Sequence, residues 1–357
     1  MELYPLKFKP VYKEKIWGGE KIKSYFNKNI SGSSIGESWE ISAHPHGIST
    51  VLDGPLAEKK LTDIFSNFKS EILGKLAEKN NYQKFPLLLK ILDASKKLSV
   101  QVHPDNSFAL QNEGEPGKTE MWYILDAEPE AQLVYGLKPE TSRKKMKQAI
   151  QEGTLEKYLN RVPVKPGDCF FIPPGTIHAL EEGILLVEIQ QSSDTTYRVY
   201  DWNRKGQNGK PRELHIEKAL QVTSYSAELN TKSNTEFIIN TADYTGEFLA
   251  ACPYFATEKI QIHNNYHIHP AGERFYTLMV LEGTGTLIYK NKKYTITKGD
   301  SLLLPAFLDR IQITGELTFL KSFIPDDKIQ IINTLQKEGF TKQQIKELPG
   351  MRNWESF

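Results

Sequence analysis

GDCFFIPPGTIHAL, from Gly167 to Leu180, is the stretch that decides the fold. It opens on Gly-Asp, a turn signal. Four mostly apolar residues follow, as in a short buried strand, and Pro173 then marks a bend. Gly167, Pro173, Gly175 and His178 fall in the pattern G-x5-P-x-G-x2-H. The stretch has a second copy, GDSLLLPAFLDRIQI, from Gly299 to Ile313. It repeats Gly-Asp, the four apolar residues and the proline at the same offset (Pro305). Lys165 and Lys298 stand just upstream of the two copies. A turn, a buried strand and a proline bend, written twice, imply two related β-units.

The surroundings agree with this reading. ILLVEIQ (184–190), TLMVLEG (277–283), GTLIYKN (285–291) and KYTITKGD (293–300) are short β-branched or aromatic runs. Turn residues punctuate them at close intervals, as in a sandwich or barrel. Helical period is confined to four places: 61–79, 140–159, 215–221 and 327–348. Gly153 is expected to split the second and Gly339 the last. No alternation of strand and helix points to a parallel α/β sheet. The expected fold is therefore mainly β, with a few peripheral helices.

Composition excludes several classes. The 357 residues carry 45 Lys+Arg against 44 Asp+Glu, a net charge of +1, with 39% hydrophobic and 25% charged residues. A disordered chain would be less apolar and more highly charged. No basic excess exists to drive nucleic-acid binding by counterion release. No run approaches the ~18 apolar residues of a membrane-spanning helix. MELYPLKFKP has no apolar segment of the secretory type, and the two cysteines, Cys169 and Cys252, are far apart. The expectation is a cytoplasmic protein without nucleic-acid or membrane partners.

Upstream of the first copy lie Gln101-Val-His103-Pro-Asp and Gly117-Lys-Thr-Glu120. Together with the G-x5-P-x-G-x2-H pattern, these blocks resemble the two motifs of the cupin superfamily, whose jelly-roll (double-stranded β-helix) barrels hold one metal ion. The resemblance implies two such barrels. It also implies a ligand set of His103, Glu120 and His178, with Gln101 in place of a first histidine. The chemistry is consistent. Residues i and i+2 of a strand share a face, so Gln101 and His103 can both point inward. Imidazole and carboxylate donors suit Zn²⁺, and also Fe²⁺, Mn²⁺ or Co²⁺. Each of these residues taken alone is an ordinary histidine or a solvated acid.

FPLLLKILDASKKLSVQVHPD (85–105), GKTEMWYIL (117–125), PPGTIHAL (173–180) and EIQQSSDTTYRVYDWNR (188–204) narrow the match. They resemble type I phosphomannose isomerase in its short bacterial form, as do Trp17-Gly-Gly19 and Gly36-Glu-Ser-Trp39-Glu40. The resemblance implies interconversion of mannose 6-phosphate and fructose 6-phosphate with one Zn²⁺ per chain. It places catalytic roles on Arg198, Glu188 and Asp194. Ser99, Lys118 and Arg204 fall at substrate- or phosphate-binding positions. Bland alternatives stand beside these roles. Arg198 and Arg204 would ordinarily form surface ion pairs, and Glu188 would be a buried carboxylate paired with a structural cation. Two other functions remain open: an Fe(II) cupin oxygenase and a non-catalytic sugar-binding cupin.

In the second copy Arg310 stands where the first has His178, and Phe307 where it has Gly175. His267 and His269 keep the His-x-His form, with Glu273 after them. Tyr276 stands where Glu120 would be. The expected organisation is a metal-binding catalytic cupin domain over 1–230, including helical portions near 59–79 and 140–160. A second, degenerate cupin domain follows over 231–325, and a helical tail over 326–357. The expected partner is a sugar phosphate, and the expected assembly a monomer or weak dimer.

Overall fold

A computed structural model describes residues 2–76, 81–206, 209–225, 236–352 and 354. The chain is mainly β, as expected. It divides into two compact units. One holds Met1–Val11, Trp39–Leu88 and Ser233–Phe357; the other holds Tyr12–Ser38 and Leu89–Lys232. Contiguous domains over 1–230, 231–325 and 326–357 are thus not what the chain builds, although the expected 230/231 boundary itself lies outside the described residues. Long-range pairing is the reason. Leu6–Lys9 pairs antiparallel with Ser301–Leu304 on one side and with Thr50–Val51 on the other. The C-terminal helices bury Ile331, Leu335, Ile345 and Leu348 against Phe237, Phe248 and Phe323, so the expected tail belongs to that unit's core.

Two sheets surround the first copy. One runs Cys169–Ile172, Glu120–Ala127, Ile184–Gln191, Leu87–Ala94, Ile35–Ile41 and Val11–Gly19. The other runs Leu159–Pro163, Gln132–Leu137, His178–Leu180, Val100–Val102 and Tyr197–Tyr200. Apolar residues of both sheets share a core, among them Trp122, Ile172 and Leu186 from the first and Leu133, Tyr135 and Leu180 from the second. Alternation places the opposite side chains of the second sheet on another core. There Val100, Val102, Ala179 and Val199 meet Met146, Ala149, Ala219 and Leu220 of the helices Arg143–Gln151 and Ile216–Val222.

The remaining helices show where periodicity overreaches. The stretch 61–79 is not continuous: Leu61–Asn67 and Lys69–Leu73 are separated at Phe68, whose backbone leaves the helical region, and Gly74 ends the second piece at φ +61°. Residues 77–79 lie outside the described residues. Gly153 and Gly339 adopt positive φ and split their segments as expected. Lys21–Tyr25 and Asn106–Asn112 are additional helices; Asp105 caps the second by accepting from Phe108 N at 2.8 Å. Among the described residues no helix is long and apolar enough to cross a membrane.

The sequence repeat is the same turn built twice. Gly167 and Gly299 have φ of +89° and +88°, a conformation open to glycine at little cost. Asp168 accepts from Lys165 N at 3.1 Å, and Asp300 from Thr297 N at 2.7 Å. Each turn is clipped to a neighbouring strand by a reciprocal backbone pair, with Ile124 in the first copy and Val280 in the second. Ile124 and Val280 are therefore equivalent, and the register extends the equivalence. Ile172 faces Glu120 and Leu304 faces Tyr276, so a tyrosine occupies the counterpart of Glu120. Trp122 faces Glu188 and Leu278 faces Lys321, so a lysine occupies the counterpart of Glu188. Glu188 pairs with Lys90 at 3.2 Å, whereas Lys321 pairs with Glu258 at 3.0 Å: the first pair is buried, Glu258 of the second is half-buried, and their polarity is reversed. Tyr266 accepts a further hydrogen bond from Lys321 at 2.8 Å. His267 and His269 are exposed, and Arg310 donates to His267 Nδ1 at 3.2 Å.

Candidate metal centre and its cavity

Three adjacent strands place His178, Gln101 and Arg198 in one cross-strand row. Their neighbours Val100, Val102, Ala179 and Val199 face the helices, so the row faces the other way. His103 follows Gln101 by two residues, and Glu120 begins the strand Glu120–Ala127 of the opposing sheet. Imidazole and carboxylate atoms of His103, Glu120 and His178 all lie within 4.8 Å of one another. Glu120 Oε1 is 3.3 Å from His178 Nε2, and Oε2 is 3.7 Å from His103 Nε2. All three residues are fully buried.

The second ring nitrogens orient the histidines. His103 Nδ1 donates to Thr195 O and His178 Nδ1 to Thr176 O, both at 2.9 Å. A carbonyl can only accept, so each Nδ1 carries the proton and each neutral ring turns an Nε2 lone pair toward Glu120. Burial favours the neutral rings. It drives His103 well below its usual pKa, with the Lys118 ammonium adding to the effect, and His178 down to about 4. Gln101 Nε2 is 3.2 Å from His178 Nε2. Turning that amide over presents its carbonyl oxygen, a ligand atom, at the same point.

Two buried carboxylates titrate in opposite directions. Burial and then the charge of Glu188 push Glu120 up, against the pull of Lys118. Burial would also raise Glu188, but Lys118 and Lys90 outweigh it, and Trp122 Nε1 donates to its Oε2 at 3.0 Å. Glu188 is therefore held ionised. Lys118 Nζ lies 2.6 Å from Glu120 and 3.7 Å from Glu188, tying the two together. Among the described residues neither oxygen of Glu120 has a well-directed hydrogen-bond donor, Lys118 approaching as an ion pair instead. Two neutral nitrogens, a buried carboxylate short of donors and a nearby amide fit a divalent cation.

A cavity of about 280 Å³ opens beside this cluster. Ser99, Gln101, Lys118, Glu188, Asp194 and Arg198, all singled out from sequence, line it. Arg204 does not. Its Nε donates to Asp201 Oδ1 at 2.9 Å and its Nη1 to the Lys97 carbonyl, which ties it to the loop at the end of the strand Tyr197–Tyr200. Lys15, Glu37, Lys90 and Arg212 also line the cavity and were not singled out. Lys90 carried a usable signal: it is the single basic residue inside the apolar run FPLLLKILDA, where all eight residues of Leu87–Ala94 are buried. Such a residue is rarely buried unless paired. Arg212 carried none, because its role depends on a fold-back from beyond the strand.

Paired sheets, the glycine–aspartate turn and the His/Glu/His cluster define a cupin-type protein with a candidate metal site. More narrowly, the chain belongs to the type I phosphomannose isomerase family. Residues 5–150 match the model of the phosphomannose isomerase type I catalytic domain, and residues 244–324 that of the mannose-6-phosphate isomerase cupin domain. Mannose-6-phosphate isomerase of Streptococcus mutans is 38% identical over 325 residues, covering 89% of this chain and 98% of that protein. Mannose-6-phosphate isomerase ManA of Bacillus subtilis is 38% identical over 318 residues, covering 88% and 97%. The crystal structure of mannose 6-phosphate isomerase from Bacillus subtilis superposes with a TM-score of 0.83 at 38% identity, covering 90% of this chain and 99% of that one.

Proposed function

We propose that this protein interconverts mannose 6-phosphate and fructose 6-phosphate, with one Zn²⁺ held by Gln101, His103, Glu120 and His178. The observation that carries the reading is the junction of two features: the buried His/Glu/His cluster and a cavity where five cationic side chains meet three anionic ones. An isomerase needs a Lewis acid at the two reacting oxygens and a cationic clamp at a remote phosphate. When bound, the metal supplies positive charge beside the C1 and C2 oxygens.

The chain's own groups supply the rest. Lys118 holds Glu120 in place and presents its remaining N–H groups to a sugar oxygen. Arg198 donates to Ser99 Oγ at 3.3 Å, and both line the same cavity. The proton that moves between C1 and C2 requires a base, and two carboxylates singled out from the sequence, Glu188 and Asp194, line the cavity. Glu188 is held ionised by Lys118, Lys90 and Trp122, which makes it a weak base suited to positioning. We therefore assign the proton transfer to Asp194, which lines the same cavity.

Purified protein given fructose 6-phosphate and Zn²⁺ is expected to form mannose 6-phosphate, and His178→Ala to lose both metal and turnover. No turnover at full zinc occupancy would overturn the reading. Oxygen consumption dependent on Fe(II) would replace it with the oxygenase alternative.

A further inference from the structure

Arg198 and Arg212 both line the cavity, and Asp201, the carboxylate paired with Arg212, is shared with Arg204. Asp201 is 6% exposed. It accepts from Arg212 Nε at 2.8 Å and from Arg212 Nη2 at 2.6 Å, two bonds that fix the plane of the guanidinium. Those bonds leave Arg212 Nη1 with no hydrogen bond among the described residues. Arg198 spends Nε on Ser99 and Nη1 on the Glu213 carbonyl at 2.8 Å, which leaves its Nη2. Arg204 differs: it does not line the cavity, its Nε and Nη1 bond Asp201 and the Lys97 carbonyl, and its buried Nη2 lies 2.9 Å from Asp201 as an ion pair.

We propose that Arg212, held by Asp201, is a phosphate-recognition residue that works with Arg198 and Ser99, and that Arg204 is a brace for this assembly. The proposal rests on the sugar-phosphate reading above and deepens it. Two guanidiniums around one cavity repel each other. Arg198 is pushed below the usual arginine range by burial and then by Arg212, its strongest charged neighbour. An anion between them relieves that repulsion, and a phosphate monoester at close to two negative charges matches the remaining fork donors. Spacing agrees as well. Ser99 precedes Gln101 by two residues, about 6.5 Å along a strand, which suits a six-carbon chain with its reacting end at Gln101 and its phosphate beside Ser99.

Arg212→Gln, Arg212→Lys, Arg204→Gln and Asp201→Asn are compared with the unaltered zinc-loaded enzyme. Mannose 6-phosphate and free mannose serve as substrates, and inorganic phosphate as inhibitor. Arg212→Gln is expected to raise KM for mannose 6-phosphate about 10- to 100-fold, the loss of a charge-assisted contact. Phosphate inhibition weakens in parallel, kcat changes less than about 3-fold, and the preference for phosphorylated over free mannose falls. Arg212→Lys recovers part of the loss. Asp201→Asn shows a smaller KM effect of the same kind, and Arg204→Gln shifts KM less than about 3-fold. Unchanged KM and phosphate inhibition in Arg212→Gln, or an equal effect from Arg204→Gln, would overturn the proposal while leaving the isomerase reading intact. If the unaltered protein turns over no sugar phosphate, the isomerase reading fails. Calorimetric binding of inorganic phosphate to the unaltered protein and to Arg212→Gln then decides the role of Arg212 separately, and equal binding refutes it.

Discussion

Lys90 and Glu188 form a buried ion pair beside the candidate metal centre. Their side chains are 5% and 4% exposed and the charges are 3.2 Å apart. Removing one member leaves the other buried and short of countercharge, which ordinarily costs about 3–5 kcal/mol. The lower end applies here, because each partner keeps some compensation. Glu188 retains Lys118 at 3.7 Å and the Trp122 N–H. Glu188→Gln keeps an acceptor for that N–H, so its cost isolates the lost charge. Lys90→Met and Glu188→Gln are each expected to destabilise by about 3 kcal/mol. The double variant buries no mismatched charge at this pair and falls well short of the sum, giving a coupling energy of about 2–3 kcal/mol. Urea titrations followed by tryptophan fluorescence, with the metal content of every variant equalised, measure the cycle. Effects that add to within ~0.5 kcal/mol would show that the two charges act independently and would refute the argument.

Other expectations test different parts of the molecule. Cys252 is fully buried and its thiol is pushed up to about 12, so native protein treated with iodoacetamide near pH 8 should label Cys169 alone; comparable labelling of Cys252 would contradict the burial. Gly167→Ala meets nothing within 4 Å and pays only for its positive φ, about 1–2 kcal/mol, whereas at Gly283 the added Cβ falls 2.0 Å from Glu316 O; equal shifts in urea midpoint would refute this contrast. Burial would raise Asp201, but Arg212 and Arg204 hold it below its ordinary 3.8. A depressed acid contributes stability that is present above its unfolded pKa of ~3.9 and lost as pH falls through the lower native value. Asp201→Asn should therefore be less stable than the unaltered protein near neutral pH, with the gap closing below about pH 4. Urea midpoints that keep the same gap down to about pH 2 would contradict it.

The sequence made the turn repeat legible because a glycine at positive φ followed by a capping aspartate is a local requirement, written in adjacent residues. The grouping of the candidate ligands was legible for a related reason: Gln101 and His103 obey the two-residue strand period, and His178 closes a turn motif of fixed length. What stayed hidden was set at long range. Nothing in Leu6–Lys9 announces that it pairs with Ser301–Leu304, so the make-up of the two units could not be read along the chain. Arg204 lies within a block resembling the family yet is consumed by Asp201, while Arg212, outside every such block, reaches the cavity. Helices failed where caps override period: Asn106–Asn112 is too short to show a pattern and is started by Asp105.

The reversed pair in the other unit has a bearing on chelation. Lys321 and Glu258 occupy the interior where the first copy has Lys90 and Glu188, and Tyr276 replaces the acid that would bind an ion. Burial alone would strip Lys321 of its proton, but Glu258 and then Tyr266 and Tyr276 keep it charged. That ammonium is tethered by covalent bonds, so no chelator can extract it and no shortage of metal can empty its place. Depletion of divalent ions should therefore loosen the His103/Glu120/His178 unit first, while the unit built around Lys321 keeps its own positive charge.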